Sequence, residues 1–556
     1  MSMITESVSA EVAVRMFAFY KRKATHGEEG KHENIFPCFI LTKQETGENT
    51  STPYFEEDKN VSETALGLTM LHPEAKRFLS PSGQNSVKTF VLNRLLLDEV
   101  NRRAVWKIKA HPWVEEKQKD LGKSFLTEIP GENHPYFTVK IDCIGAFYFP
   151  TGVTAVYIDI LPAFAVTDTS APLIGKMLAN TFNHGHLLEE QSEGKSGVIL
   201  RRIFDKDHTE EKLQSVKNRF GENRDSGLMK GLLGEETTLN SILSSLLGKG
   251  YELLMGDRFI SCVFLKTKWE NTPRPFHDSD YIDLVRMSRS QNDKYIPYAE
   301  DCKPGGRHII NTFENVIFSL SGEGIACWIK PQQKQTFLEE QFKQRFHGIY
   351  QQLILLALHQ RYALVALAQQ LSQIEFPHVD STPEILRDRS IILRKQRKEV
   401  ADFYLRAYFR QPAVLDNHQM FYQKLQDALG IASLLEEVQK STKELDHIIT
   451  STYLHEQNSQ SIQILKNIEK LTEKQEHSAQ IEQTLTYVVE VTALPYYTYG
   501  ITKAFFKLFC VSPHSGVTEL PKWPEWLAIF VAFIATGCAV SMTFVKNKRM
   551  KHREKK

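Results

Sequence analysis

The sequence predicts a mixed α/β (or α+β) domain, followed by long stalk helices and two C-terminal transmembrane helices. Three observations carry this expectation. Short β-type apolar runs separated by Gly- and Pro-containing loops fill the first 330 or so residues. Gly and Pro almost vanish from long, apolar-periodic stretches after Pro331. The C-terminus holds two apolar segments, the second followed by a cluster of Lys and Arg.

At 556 residues the chain is too long for one compact core, and 42% hydrophobic with 24% charged residues excludes both a disordered chain and one embedded throughout. A formal net charge of +1 gives no electrostatic support to duplex DNA as a partner, so no direct nucleic-acid binding is expected. The seven cysteines are far apart, odd in number and without a C-x-x-C pair, which reads as reduced, buried thiols. The N-terminus, MSMITESVSAEVAVRMFAFYKRK, lacks the basic start, apolar run and cleavage site of an export signal.

Residues 1–330 form the expected α/β domain, with strand-like runs at Phe36 to Leu41, Tyr136 to Phe149, Val153 to Leu161, Phe259 to Leu265 and Val316 to Ile329. Turns are expected at Ser80-Pro-Ser-Gly, Gly131-Glu-Asn-His-Pro and Lys303-Pro-Gly-Gly, and a loop over Asp205 to Arg224. In the helical region 331–415, one long helix is expected between Gln332 and Gln373 and a second from Glu384 to Arg410, divided by Pro377 and Pro383. Residues 416–490 have a single glycine, Gly430, and apolar positions three, four and seven apart, the pattern of a long stalk helix.

The segment 527–545 is uncharged and long enough to cross roughly 30 Å of hydrocarbon, with Trp523 and Trp526 at its entrance. The basic tail 546–556 is expected to stay in the cytoplasm. A single crossing would then place more than 500 residues outside without a leader, so a second crossing is expected over 484–511, with an external loop at 512–526. That segment carries Glu490, Lys503 and Lys507, which suits a helix facing protein or water as a pore liner. The expected localisation is the inner membrane, multi-pass, with both termini cytoplasmic; a tail anchor with its basic end outside is the rival.

Leu494-Pro495, then Tyr499-Gly500-Ile501-Thr502, then a loop Thr518-Glu519-Leu520-Pro521 before the final apolar helix resemble the CorA family of divalent-cation channels. The resemblance covers roughly the last third of the chain. It implies a homo-oligomer, a pentamer in that family, with Tyr499, Gly500, Ile501 and Thr502 at the narrow mouth and Glu519 and Leu520 in the external loop. Thr502 stands where the family signature has Asn; a hydroxyl ring can still bond hydration water, while Lys503 and Lys507 would disfavour cations. Magnesium is the divalent cation the resemblance implies, although no cofactor is assigned. The enlarged N-terminal domain is similar in plan to CorA-like proteins that accompany type III CRISPR systems, which implies a nucleotide second messenger as the gating ligand.

Candidate ligand contacts are Lys303, Arg307 and His308 in KPGGRH, and Arg394 and Lys395 in a basic helix that could instead meet anionic lipid. An exposed loop and a solvated helix face are the plain readings of the same residues. Gly194-Lys195-Ser196 lacks the leading glycine of a phosphate loop, and His184-Gly185-His186 has no further ligand at metal-site spacing. No catalytic set can be assigned from spacing, so no enzyme is expected. The alternatives to a ligand-gated channel are a membrane-tethered scaffold without conductance, an ordinary magnesium transporter and an anchored enzyme.

Overall fold

The structure is a computed structural model. It describes residues 10–22, 55–57, 67–80, 86–92, 97, 104–109, 126–127, 136–183, 199–204, 236–238, 251–255, 259–267, 276–291, 295–313, 315–330, 337–374, 383–509 and separate positions between 526 and 545. The chain divides into two units, Met1–Ile449 and Thr450–Lys556.

In the first unit a large, mostly antiparallel sheet carries helices on both faces. Its long strands are β1 (Ala10–Arg22), β6 (Tyr136–Tyr148), β7 (Val153–Pro162) and β11 (Ile260–Thr267). Shorter strands are β2 (Phe55–Glu57), β3 (Lys88–Leu92), β4 (Ala104–Lys109), β5 (Leu126–Thr127), β8 (Ile199–Phe204), β9 (Glu236–Thr238) and β10 (Tyr251–Leu253). The last three are β12 (Ile309–Phe313), β13 (Val316–Leu320) and β14 (Gly324–Ile329). The main path runs β12-β13-β14-β11-β1-β7-β6-β4-β8-β9. Among the described pairs only β11 with β14 is parallel.

Both faces of β1 are buried, so its strand alternation sends Val12, Val14, Met16 and Ala18 to one core and Phe17 and Phe19 to the other. The first core is closed by α2 (Ala171–Asn183) and α3 (Asp278–Ser288). The second is closed by α1 (Pro73–Leu79), α4 (Gln351–Ser372), α5 (Pro383–Arg406), α6 (Asp416–Ala428) and the start of α7 (Ile431–Phe509). In α7, Ile431, Leu435, Val438, Leu445 and Ile449 are buried at three- and four-residue spacings, the stripe an amphipathic helix presents to a core.

Mixed α/β content with a large sheet is present. The strand-like run Phe36 to Leu41 lies outside the described residues, as do the loops at 131–135 and 205–224. Two expected long helices are interrupted. The first is irregular over 337–350, where Gly348 departs from helical dihedrals (φ −92°, ψ −105°) before α4 begins. The stalk-like stretch is broken at Gly430 (φ 65°), where the left-handed conformation ends α6 and lets α7 restart.

The expected pair of transmembrane helices is overturned, and the multi-pass inner-membrane localisation with it. No helix among the described residues is long and apolar enough to cross a membrane. Residues 484–509 are the end of α7, where Glu490, Lys503 and Lys507 break up the apolar run. Within 527–545 the described positions, including Leu527, Phe530, Val531, Ile534 and Val545, are helical and exposed. The external loop with Glu519 and Leu520 and the basic tail lie outside the described residues.

Candidate ligand-binding site

The KPGGRH motif sits between α3 and β12. Gly306 N–H donates to Lys303 O at 2.9 Å, and Gly305 has φ 76°, so Pro304 and Gly305 occupy the positions a type II turn reserves for them. A side chain on Gly306 would stand 2.5 Å from Glu300 O, so the turn closes only around glycine.

His308 and the residue that ends α3, Arg289, lock this turn to the sheet. His308 Nδ1 donates to Leu320 O at 2.7 Å, which leaves Nε2 as the acceptor facing Arg289 Nη2 at 2.7 Å. Burial, with the neighbouring guanidinium adding to it, holds the imidazole below its ordinary pKa. The same Nη2 donates to Asp301 Oδ2 at 2.9 Å, and Nη1 donates to Tyr295 Oη at 3.2 Å. Arg286 Nε donates to Tyr295 O at 3.1 Å. His308 is therefore a brace within the loop, its two ring nitrogens both engaged.

Around this brace the surface carries charges of both signs and two accessible rings. Lys303 is exposed and paired with Glu300 at 2.8 Å, the contact that raises its pKa. Arg307 is exposed and makes no ion pair among the described residues. Tyr298 is 71% exposed and Tyr295 39%. Cationic groups beside accessible rings suit an anionic ligand with a planar portion, the cations meeting oxygens and a ring offering a stacking face. Sequence spacing pointed to Lys303, Arg307 and His308; Arg289 and the two tyrosines join them through the fold.

Arg394 and Lys395 stand apart from this turn, exposed on α5, and no hydrogen bond or ion pair connects them to it. Tyr499, Gly500, Ile501 and Thr502 lie in the last turns of α7. Thr502 Oγ1 donates to Thr498 O at 2.6 Å, so its proton is committed to the helix backbone, and Lys503 Nζ lies 5.8 Å from the Tyr499 ring centre. Among the described residues no group of three or more His, Cys, Asp or Glu is placed to hold a metal ion.

A second polar constellation lies inside the unit, and no sequence spacing announces it. Strand register sets Cys143, Asp159, Arg15 and Cys262 side by side across β6, β7, β1 and β11. Arg15 donates from Nε and Nη2 to the two Asp159 oxygens at 2.6 Å each, and from Nη1 to Gln351 Oε1 at 2.8 Å. Its guanidinium lies 4.4 Å from the Tyr157 ring centre, and Cys143 Sγ donates to Tyr157 Oη at 3.7 Å. Gln351 reaches His347 Nδ1 at 3.0 Å, tying the irregular lead-in of α4 to the sheet. Burial pushes the thiols of Cys143 and Cys262 up to about 12, so neither is a ready nucleophile at neutral pH. With every Arg15 nitrogen bonded, this is a strut between layers; the 295–308 loop is the better candidate for ligand.

Compared with protein-family models, curated proteins and solved structures, the chain finds no match, so the geometry and chemistry of the loop stand alone in pointing to function.

Proposed function

We propose that the chain is a CorA-like, ligand-responsive effector that acts as a homo-oligomer and releases ions across a bilayer when ligand binds. The α/β unit is the sensor, and the 295–308 loop is where it takes up a nucleotide second messenger, Lys303 and Arg307 meeting phosphate oxygens. The type III CRISPR setting is the specialised form of this proposal. No pair of membrane-crossing helices is assumed.

The observation that carries the reading is the helix Ile431–Phe509, whose first turns are buried in the second core while the same helix continues to the Tyr499–Thr502 signature. A change in the packing of Leu435, Val438 or Leu445 is thereby covalently linked to the C-terminal segment. Coupling of this kind requires two arrangements that ligand weights differently.

The test is ligand-triggered release of entrapped ions from liposomes carrying the full-length protein, with cyclic and linear nucleotides titrated. Release that saturates with one nucleotide and is lost in Lys303→Gln/Arg307→Gln supports the proposal. Binding without release moves the function to a scaffold. No binding and no release removes the sensor reading.

A further inference from the structure

His308 ties the 295–308 loop to the sheet through a ring whose protonation state its neighbours fix. Nδ1 lies 2.7 Å from Leu320 O, an acceptor only, and Nε2 lies 2.7 Å from Arg289 Nη2, a donor only. Nε2 is therefore a bare acceptor, which it remains only while the imidazole is neutral. Asp301 Oδ1 stands 3.8 Å from the same Nε2, and Oδ2 accepts from Arg289 at 2.9 Å. Side-chain exposures of 11%, 18% and 19% for His308, Arg289 and Asp301 put the trio at the rim, within reach of protons from solvent.

The mount of this trio is rigid. Ser288 and Ser290, both buried, flank Arg289 at the end of α3. Ser288 Oγ lies 2.7 Å from Ser319 Oγ on β13, and Ser321 Oγ donates to Ser288 O at 2.7 Å. Ser290, at φ 49°, sets its Oγ 3.3 Å from Ser261 Oγ on β11. Arg289 and Leu320 thus stay with the sheet, and the loop is the part free to shift. Among the described residues, each side-chain hydrogen bond from 295–307 to the rest of the chain ends on Arg286, Arg289 or His308, and those to the arginines start at Tyr295 and Asp301. Buried Cys302 pins the middle of the loop in the first core, so 295–301 is the part that Arg289 holds down.

The charges acting on the ring are Arg289 from α3, Asp301 from the loop and Arg307 beside it in the chain, while β13 faces it with a carbonyl. Burial, with Arg289 and Arg307, holds the imidazole below its ordinary pKa against Leu320 O and Asp301. The closed arrangement is therefore complete above about pH 6.5 and is lost as pH falls toward the ring's lowered value.

We infer that His308 is a proton-operated latch on this loop. A proton taken from solvent at Nε2 removes Arg289's acceptor and sets two N–H groups against each other. The guanidinium withdraws, and the new Nε2–H turns to Asp301 Oδ1. Asp301 is then shared between two cations, 295–301 loosens, and the trio gains one positive charge. The effect on ligand rests on the sensor reading proposed above: the added charge strengthens the loop's hold on a phosphodiester as pH falls.

The experiment follows the His308 ring signal by NMR in the full-length protein, assigned by its loss in His308→Gln, together with amide hydrogen exchange, from about pH 7.5 to about pH 5. The amides of Asp301 and Gly306, bonded to Tyr298 O and Lys303 O, report the closed loop, and those of β7 report the sheet. Corrected for the intrinsic pH dependence of exchange, loop protection should fall about tenfold relative to β7 as the ring titrates. His308→Gln keeps a donor and an acceptor but takes no proton, so it should hold that protection throughout. Arg289→Gln should raise the ring's titration midpoint and Asp301→Asn should lower it, which decides the question even where His308→Gln does not fold. Cyclic AMP and cyclic GMP, whose phosphodiesters keep one charge over this range, should bind about fivefold more tightly at the acid end. Loop opening with neither nucleotide bound supports the latch and removes those ligands from the sensor reading. Protection that ignores the ring's titration, or that falls equally in folded His308→Gln, overturns the inference. So does a ring that stays neutral down to about pH 5.

Discussion

Three histidines in the second core are kept neutral mainly by burial. His359 is pushed down to about 3, and His347 and His418 to about 4, with Arg15 and Arg345 respectively adding to the effect. In the unfolded chain each titrates near 6.5, so as pH falls below that value the unfolded state binds protons first. Stability from neutral His is complete above about pH 6.5 and is lost as pH falls toward the folded values, by at most ~1.4 kcal/mol per pH unit for each histidine. Thermal midpoints should therefore drop steeply between about pH 6 and pH 4. His359→Gln, at the fully buried site, should remove about a third of that slope. Removing the carboxylate beneath Arg15 acts at every pH near neutrality: Asp159→Asn should cost about 3 kcal/mol in urea unfolding, while Arg15→Met/Asp159→Leu recovers most of it. The turn at Lys303 was legible because Pro and Gly dictate it locally. Arg15 and Asp159 were not, since 144 residues separate them and only strand register brings them together.

Among the elements, strands buried on both faces announced themselves as apolar runs, and Tyr136 to Phe149 and Val153 to Leu161 fall close to β6 and β7. Val316 to Ile329 reads as one run and folds as the hairpin β13–β14, because Ser321 Oγ gathers the N–H groups of Glu323 and Gly324 and closes a turn. β1 gives a weaker signal, because Glu11 and Arg15 interrupt its apolar run. Glycine breaks are the easiest of these features to test. Gly324→Ala would put a methyl 2.7 Å from Ser261 O and 2.8 Å from Ser288 O, contacts that backbone cannot yield cheaply. It should lower stability by about 3 kcal/mol or prevent accumulation of folded protein. Gly430→Ala meets open space and carries only the strain of φ 65°, so about 1 kcal/mol is expected, with Gly430→Asn milder. Paired thermal melts distinguish the two kinds of glycine.

For the molecule as a whole, the proposed function predicts that truncation at Ile449, where the two units divide, leaves a cooperative α/β unit that binds nucleotide without releasing ions from liposomes. Circular dichroism, calorimetric titration and the release assay together check it. The transmembrane pair did not survive: Glu490, Lys503 and Lys507 interrupt the apolar run of 484–511, and no helix among the described residues is long and apolar enough to cross a membrane. The sheet's centre also sets a timetable. β1 is synthesised before the strands that flank it, β7 and β11, which end at Pro162 and Thr267. At ~5–20 residues per second, the β11 side of that strand waits about 12–50 s for its partner. During that interval an apolar ribbon beginning at Ala10 has an open edge, which makes β1 the segment where chaperone holding, or aggregation in its absence, is decided.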